Sequence, residues 1–285
     1  MSWQLSLARP ANHVNQKLAA NLPIGVFDSG VGGLSVLLEI RRELPCEDLL
    51  YVADSGHAPY GDKPAQLIEA RAVAIVEFLL GQRAKAIVVA CNTATGVAIN
   101  MLRERFPVPI VAMEPAVKPA VALTKSGVIG VLATSRTIAS DNFAKLQERF
   151  GNDVKILMQA CPGLVEQVEA GDLSGDKTRA LIEQYVMPLL AQNADTIVLG
   201  CTHYPFLAPL IREVAGPAID IIDPSAAVAR ELRRRLSSND LLSIETDIGT
   251  EQFWTSATTD SSQPIVAQLW ERNVEVFRLP AEATT

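Results

Sequence analysis

Two cysteines of this 285-residue chain stand in matching surroundings. Cys91 follows Ile87-Val88-Val89-Ala90 and precedes Asn92-Thr93-Ala94-Thr95, while Cys201 follows Ile197-Val198-Leu199-Gly200 and precedes Thr202-His203-Tyr204. A thiol at the point where an apolar strand ends and a helix or turn opens meets backbone N–H groups and the positive end of a helix dipole. Both stabilise thiolate and lower its pKa from about 8.5. Such thiols are expected to be reactive near neutral pH. The alternative is that they are small buried hydrophobes, but hydroxyl, amide and imidazole groups beside each would be costly to bury without partners and useful around a polar ligand. Two thiols at equivalent places suit the inversion of a stereocentre, which needs a base on one face of a carbon and an acid on the other. Cys46 and Cys161 lack such neighbours and are expected to be buried packing residues.

The elements that must position these thiols follow from apolar periodicity. Short β-branched runs at Ile24–Phe27, Leu49–Ala53, Ala86–Ala90, Ile110–Met113, Val128–Ala133, Lys155–Met158, Thr196–Leu199 and Ile219–Ile222 alternate with longer amphipathic stretches, of which Gln66–Leu80 and Thr178–Gln192 are the clearest. That alternation predicts parallel strands joined by crossover helices, an α/β fold class. In open sheets of this kind ligands bind beyond the carboxyl ends of the strands, where both cysteines fall.

The pattern occurs twice. Ile24-Gly25-Val26-Phe27-Asp28-Ser29-Gly30 is similar to Ile129-Gly130-Val131-Leu132-Ala133-Thr134-Ser135, and the cysteine strings lie 67 residues after Ile24 and 72 after Ile129. Two similar domains related by pseudo-symmetry are expected, with the site in the cleft between them. The expected division is an N-terminal extension over 1–22, a first domain of 23–116 plus 224–285, and a second of 117–223. Ser225 is a candidate N-cap for the returning helix. Phe253-Trp254-Thr255 and Val274–Leu279 can add strands, and Ser237–Asp247 and Thr255–Pro264 are loop-like by composition.

Composition narrows the classes. Hydrophobic residues are 48% and charged residues 20%, enough for a substantial core. A formal charge of −7 argues against a nucleic-acid-binding surface. The basic run Arg230 with Arg233–Arg235 reads as a solvated helix face. No apolar stretch is long enough for a membrane span, and Met1–Leu22 lacks a signal-peptide layout, so a cytoplasmic address with reduced cysteines is expected.

The strings Phe27-Asp28-Ser29-Gly30-Val31-Gly32-Gly33-Leu34-Ser35, Pro59-Tyr60-Gly61, Cys91-Asn92-Thr93-Ala94-Thr95 and Gly200-Cys201-Thr202-His203-Tyr204-Pro205, in that order, resemble those of the glutamate racemases of the Asp/Glu racemase family. The resemblance runs from about Ile24 to Arg235. It implies a two-domain isomerase that makes D-glutamate for peptidoglycan without metal or pyridoxal phosphate, with Cys91 acting on the D enantiomer and Cys201 on the L. It further implies that Asp28, Ser29, Pro59, Tyr60, Gly61, Asn92, Thr93, Thr202 and His203 contact or flank the substrate, joined by Thr134 and Thr137 from the second domain. Asp28, His203 and Glu169, which matches a family acidic position, would support the acid/base work. For Asp28 the alternative is a helix cap. Some members with an N-terminal extension are activated by UDP-N-acetylmuramoyl-L-alanine, and the family implies a monomer or homodimer.

Other readings fit less well. Gly30-Val31-Gly32-Gly33-Leu34-Ser35 fails the dinucleotide fingerprint, because its last required glycine is Ser35. Three histidines, at 13, 57 and 203, provide no recognisable zinc set. A thiol acyl-transfer enzyme would leave the second cysteine unexplained. Within the family, aspartate or hydantoin racemisation is the alternative, and outside it a two-lobed binding protein without catalysis.

Overall fold

The chain is described here from a computed structural model covering residues 19–152 and 154–283. The candidate strands all form, as β1 (Ile24–Asp28), β2 (Leu49–Ala53), β3 (Ala86–Val89), β4 (Ile110–Ala112), β5 (Val128–Ala133), β6 (Lys155–Ala160), β7 (Thr196–Leu199) and β8 (Asp220–Ile222). Two more, β9 (Glu251–Thr255) and β10 (Val276–Arg278), lie where the C-terminal apolar segments predict them. They build two sheets, one ordered β10-β9-β2-β1-β3-β4 and the other β6-β5-β7-β8. All their pairings are parallel. Every residue of β1, β2, β3 and β7 is buried, which is why these strands read as unbroken apolar runs and not as alternating ones.

The crossover helices are α1 (Leu34–Glu43), α2 (Ala65–Gly81), α3 (Asn92–Arg105), α4 (Val117–Leu123), α5 (Ser135–Ile138), α6 (Asp141–Phe150), α7 (Leu164–Glu169), α8 (Asp176–Leu190), α9 (Ala208–Ala215), α10 (Ser225–Ser238) and α11 (Thr259–Trp270). Helix α2 buries Ile68, Ala72, Ile75, Val76 and Leu79, an i, i+4, i+7, i+8, i+11 stripe that faces the first sheet. Helix α8 does the same with Ile182, Tyr185, Val186 and Leu189 against the second. The chain passes to the second sheet after β4 and returns after β8, when α10 packs on α1. Both thiol-bearing strand ends therefore open toward the junction of the two halves.

Four local expectations are corrected. The Thr255–Pro264 stretch is a loop only at 256–258, because its Thr, Asp and Ser residues form the polar first turn of α11, whose buried face is Ser262, Val266, Leu269 and Trp270. The Ser237–Asp247 segment begins inside α10, which continues to Ser238. Ser225 is the first helical residue and not the cap, and it is the Asp223 carboxylate that accepts its N–H at 2.8 Å and its hydroxyl at 2.6 Å. Cys46 is half-buried, on the turn between α1 and β2. The basic run is the solvated face expected: Arg233 reaches Glu43 at 3.0 Å, and Arg234 and Arg235 share Glu231. Of the 1–22 extension, residues 1–18 lie outside the described residues. No described helix is long and apolar enough to cross a membrane.

One buried ion pair closes the lower edge of the first sheet. Lys85 donates to Glu47 and to the Ala20 carbonyl, while the other Glu47 oxygen accepts the Ser243 N–H at 2.8 Å. Both side chains are almost wholly buried, so removing one partner strands a charge in the interior. Glu47→Ala should lower the unfolding free energy by about 3–5 kcal/mol in urea titrations, and Glu47→Leu combined with Lys85→Met should lose much less.

Candidate active site

Cys91 is the N-cap of α3, in extended backbone (φ −140°, ψ 117°), and its Sγ accepts the Ala94 N–H at 3.5 Å. Its own S–H points to Ser29 Oγ at 3.6 Å, and Ser29 in turn donates to Asp28 Oδ1 at 3.4 Å. Asp28 ends β1 and is fully buried; its Oδ2 accepts the Gly33 N–H at 2.8 Å and the Thr202 hydroxyl at 3.2 Å. The helix-cap alternative for Asp28 is thus partly met, since Gly33 immediately precedes α1. Burial pushes the Asp28 carboxyl up, against the pull of His203. The expected lowering of the thiol pKa does not hold for Cys91. Burial and then the Asp28 charge push it well above the ordinary thiol value, outweighing the N–H of Ala94 and the Ser29 hydroxyl.

Cys201 follows β7 in a turn that leads to a short 3-10 segment, Tyr204–Leu207. Thr202 and His203 therefore sit in a turn and not at the start of an α-helix, because Pro205 and the tight turn intervene before α9. His203 Nδ1 lies 3.7 Å from Cys201 Sγ, and its Nε2 lies 2.7 Å from Glu169 Oε1. Burial disfavours the imidazolium, but the hydrogen bonds to Cys201 and Glu169 overcome it and carry the His203 pKa well above its usual range. Glu169, the last residue of α7, also accepts the Val31 N–H at 2.7 Å on Oε1 and the Ser55 hydroxyl at 3.0 Å on Oε2. The Ser35 hydroxyl adds a bond to the Thr202 carbonyl at 2.9 Å.

The glycine run after β1 now has a physical reason. A Cβ on Gly30 would lie 1.9 Å from Glu169 Oε1, and one on Gly32 would lie 2.3 Å from His203 Nδ1. Side chains from the second half come so close to this loop that only glycine fits.

Both thiols line one small cavity, together with Ser29, Pro59, Tyr60, Gly61, Asn92, Thr93, Thr134, Val165, Thr202 and His203. Thr93 Oγ1 lies 3.0 Å from Thr134 Oγ1 and 3.2 Å from Thr137 Oγ1, a hydroxyl triangle closed by the 2.9 Å Thr134–Thr137 contact. Thr137, Asp28 and Glu169 stand behind the wall and hold residues that form it. The Asn92 amide is buried with neither its nitrogen nor its oxygen bonded within the protein, which a polar ligand in the cavity would remedy.

Every site residue expected from the sequence falls in or directly behind this cavity, whereas Val165 and Ser55 were missed. Cys161 is buried, as expected, beside a small neighbouring cleft that also touches Pro59, Gly61, Thr134 and Ser135, and burial pushes its thiol up. Its position one residue beyond β6 is the same strand-end signal that marked the other two thiols. Val165 carried no chemical signal at all.

Known proteins resemble this chain in sequence and fold. A sequence model of the Asp/Glu/Hydantoin racemase family matches residues 34–232. The glutamate racemase of Methylococcus capsulatus is 57% identical over 259 residues, covering 91% of this chain and 96% of the relative. A crystal structure of a glutamate racemase isoform from Bacillus anthracis matches with a TM-score of 0.83 at 32% identity, covering 91% and 98% of the two chains. That of the Escherichia coli glutamate racemase in complex with L-glutamate and the activator UDP-MurNAc-ala matches with a TM-score of 0.78 at 34% identity, covering 90% and 97%. The chain belongs to the Asp/Glu/hydantoin racemase family and, within it, to the glutamate racemases.

Proposed function

We propose that Cys91 and Cys201 are the two acid/base groups with which this protein interconverts L- and D-glutamate. The observation that carries this reading is that the two thiols, brought from different sheets, line the same small cavity, Cys201 beside His203 and Cys91 linked through Ser29 to Asp28. In the L-to-D direction Cys201, as thiolate, takes the proton from Cα, with the His203 imidazolium, itself favoured by Glu169, stabilising the charge at that end. The electron pair left behind delocalises into the substrate carboxylate, and the Cys91 S–H delivers a proton to the opposite face. In the D-to-L direction the roles exchange. A thiolate alone is too weak a base for this hydrogen, so preorganised donors around the carboxylate must share the developing charge. The Asn92 amide and the Thr93 and Thr202 hydroxyls are suited to that.

The same reading assigns residues 23–116 with 224–285 to one domain and 117–223 to the other, and a cytoplasmic supply of D-glutamate for peptidoglycan. The likeness to the Escherichia coli enzyme, whose structure holds the activator UDP-MurNAc-ala, supports UDP-N-acetylmuramoyl-L-alanine as an activator, and the same reading takes a monomer or homodimer as the working form.

Purified protein incubated with L-glutamate in deuterated water should replace Cα–H by deuterium, seen by NMR, as the circular dichroism signal decays. Absence of exchange, with and without the muramoyl precursor, would remove glutamate and leave aspartate and hydantoins to test. Cys91→Ser and Cys201→Ser should each lower the rate by at least about 10²-fold while glutamate still protects the protein against thermal unfolding. Because Cys91 must be ionised to act on D-glutamate, kcat/KM for that enantiomer should keep rising with pH beyond the ordinary thiol value of about 8.5. A plateau reached near neutral pH would contradict the assignment of Cys91.

A further inference from the structure

Asp54 and Arg71 have no place in the proton transfer, yet they are 0% and 1% exposed at the side chain. Arg71 grips the Asp54 carboxylate with two prongs, Nε to Oδ2 at 3.0 Å and Nη2 to Oδ1 at 2.9 Å. The same two oxygens take the Tyr60 hydroxyl at 2.5 Å on Oδ2 and meet His57 Nδ1 at 3.1 Å on Oδ1. The third guanidinium nitrogen, Nη1, is buried without a partner. Such a pair pays for its own desolvation only with good geometry and is weak as a source of stability, whereas bidentate Arg–carboxylate bonding fixes orientation well.

What it orients is one wall of the cavity. Asp54 directly follows β2, its N–H bonded to the Asp28 carbonyl at 3.0 Å, and Arg71 sits on α2, so both ends of the pair stand on the first sheet's framework. The Pro59-Tyr60-Gly61 segment lies between them in sequence and lines the cavity opposite Thr134. Gly61 approaches Thr134 so closely that an added Cβ would lie 3.1 Å from Thr134 Cβ. The tethered Tyr60 phenol therefore sets how far this wall stands from the Thr93-Thr134-Thr137 hydroxyls.

We propose that Asp54 and Arg71 are positioning residues for substrate binding: the pair holds the Tyr60 hydroxyl, and through it the Pro59-Tyr60-Gly61 wall, at the spacing that the amino-acid substrate requires. This rests on the racemase reading of the site. A wall contact made equally with the bound substrate and with the transition state changes KM and leaves kcat nearly alone, unlike loss of a thiol.

The test measures kcat and KM for L-glutamate in Arg71→Gln, Arg71→Lys and Tyr60→Phe, with wild-type protein in the same assay reporting on the racemase reading itself. Arg71→Gln and Tyr60→Phe should each raise KM about tenfold, the loss expected for one hydrogen bond to a charged group, with kcat within about threefold of wild type. Arg71→Lys, which keeps the charge but loses the two-pronged grip, should recover only part of the KM. If Arg71→Gln does not fold, Tyr60→Phe decides, since it cuts the tether and leaves the ion pair whole. An unchanged KM in Tyr60→Phe, or a fall in kcat at constant KM, would overturn the proposal while active wild type left the racemase reading standing.

Discussion

The carboxylate of Glu169 is the meeting point of the two halves of the molecule. It takes a backbone N–H from Val31 and a hydroxyl from Ser55 on the first-sheet side, and holds His203 on its own side at 2.7 Å. Asp28 mirrors it by accepting Thr202 from the opposite half. In the proposed two-thiol mechanism, thiols from different sheets must face a single carbon, and a small error in the approach of the halves would be costly, because proton transfer needs near-contact geometry. Charged acceptors bonded to backbone N–H groups are among the stronger and more directional ties available, so carboxylates at the seam can set that approach.

The polar environments at the two ends of the cavity differ in sign. Cys91 has a buried carboxylate two hydrogen bonds away, through Ser29, and its thiol is held in the neutral form by burial and that charge. Cys201 has an imidazole whose protonated form is favoured by its own partners. A thiol pushed toward its neutral form at one end and an imidazole pushed toward its protonated form at the other make an asymmetry that identical surroundings could not supply. It arises although the two strand-end strings are near repeats, because the repeats differ at the positions that matter, Asp28 standing where the second half has Ala133 and His203 where the first has Thr93, and because Glu169 comes from outside them.

The same region carries features that cost stability. Asn92 keeps both amide atoms unbonded within the protein, Arg71 keeps a buried nitrogen without a partner, and Gly30 and Gly32 stand where Glu169 and His203 leave no room for a Cβ. Natural proteins tolerate such local conflicts where function needs them and offset them with consistent packing elsewhere. Here the offset is two parallel sheets whose inner strands β1, β2, β3 and β7 are buried along their whole length.

The sequence by itself determined the strands, the parallel α/β architecture, its duplication and both thiols, because these depend on local periodicity and on strand-end position, which neighbours in the chain encode. Its misreadings were also local: Thr255–Pro264 looked like a loop because the polar first turn of α11 has the composition of one. Tertiary structure alone decided what each thiol experiences. Whether Cys91 is stabilised as thiolate or as thiol is set by how deeply it is buried and how near Asp28 lies, and neither quantity is a property of its own segment. Likewise nothing near Glu169 in the chain points to Val31, Ser55 or His203, which are between 34 and 138 residues away. Such contacts exist only once two separately folded sheets have closed on each other, because long-range electrostatics and burial follow distance in space and not order along the chain.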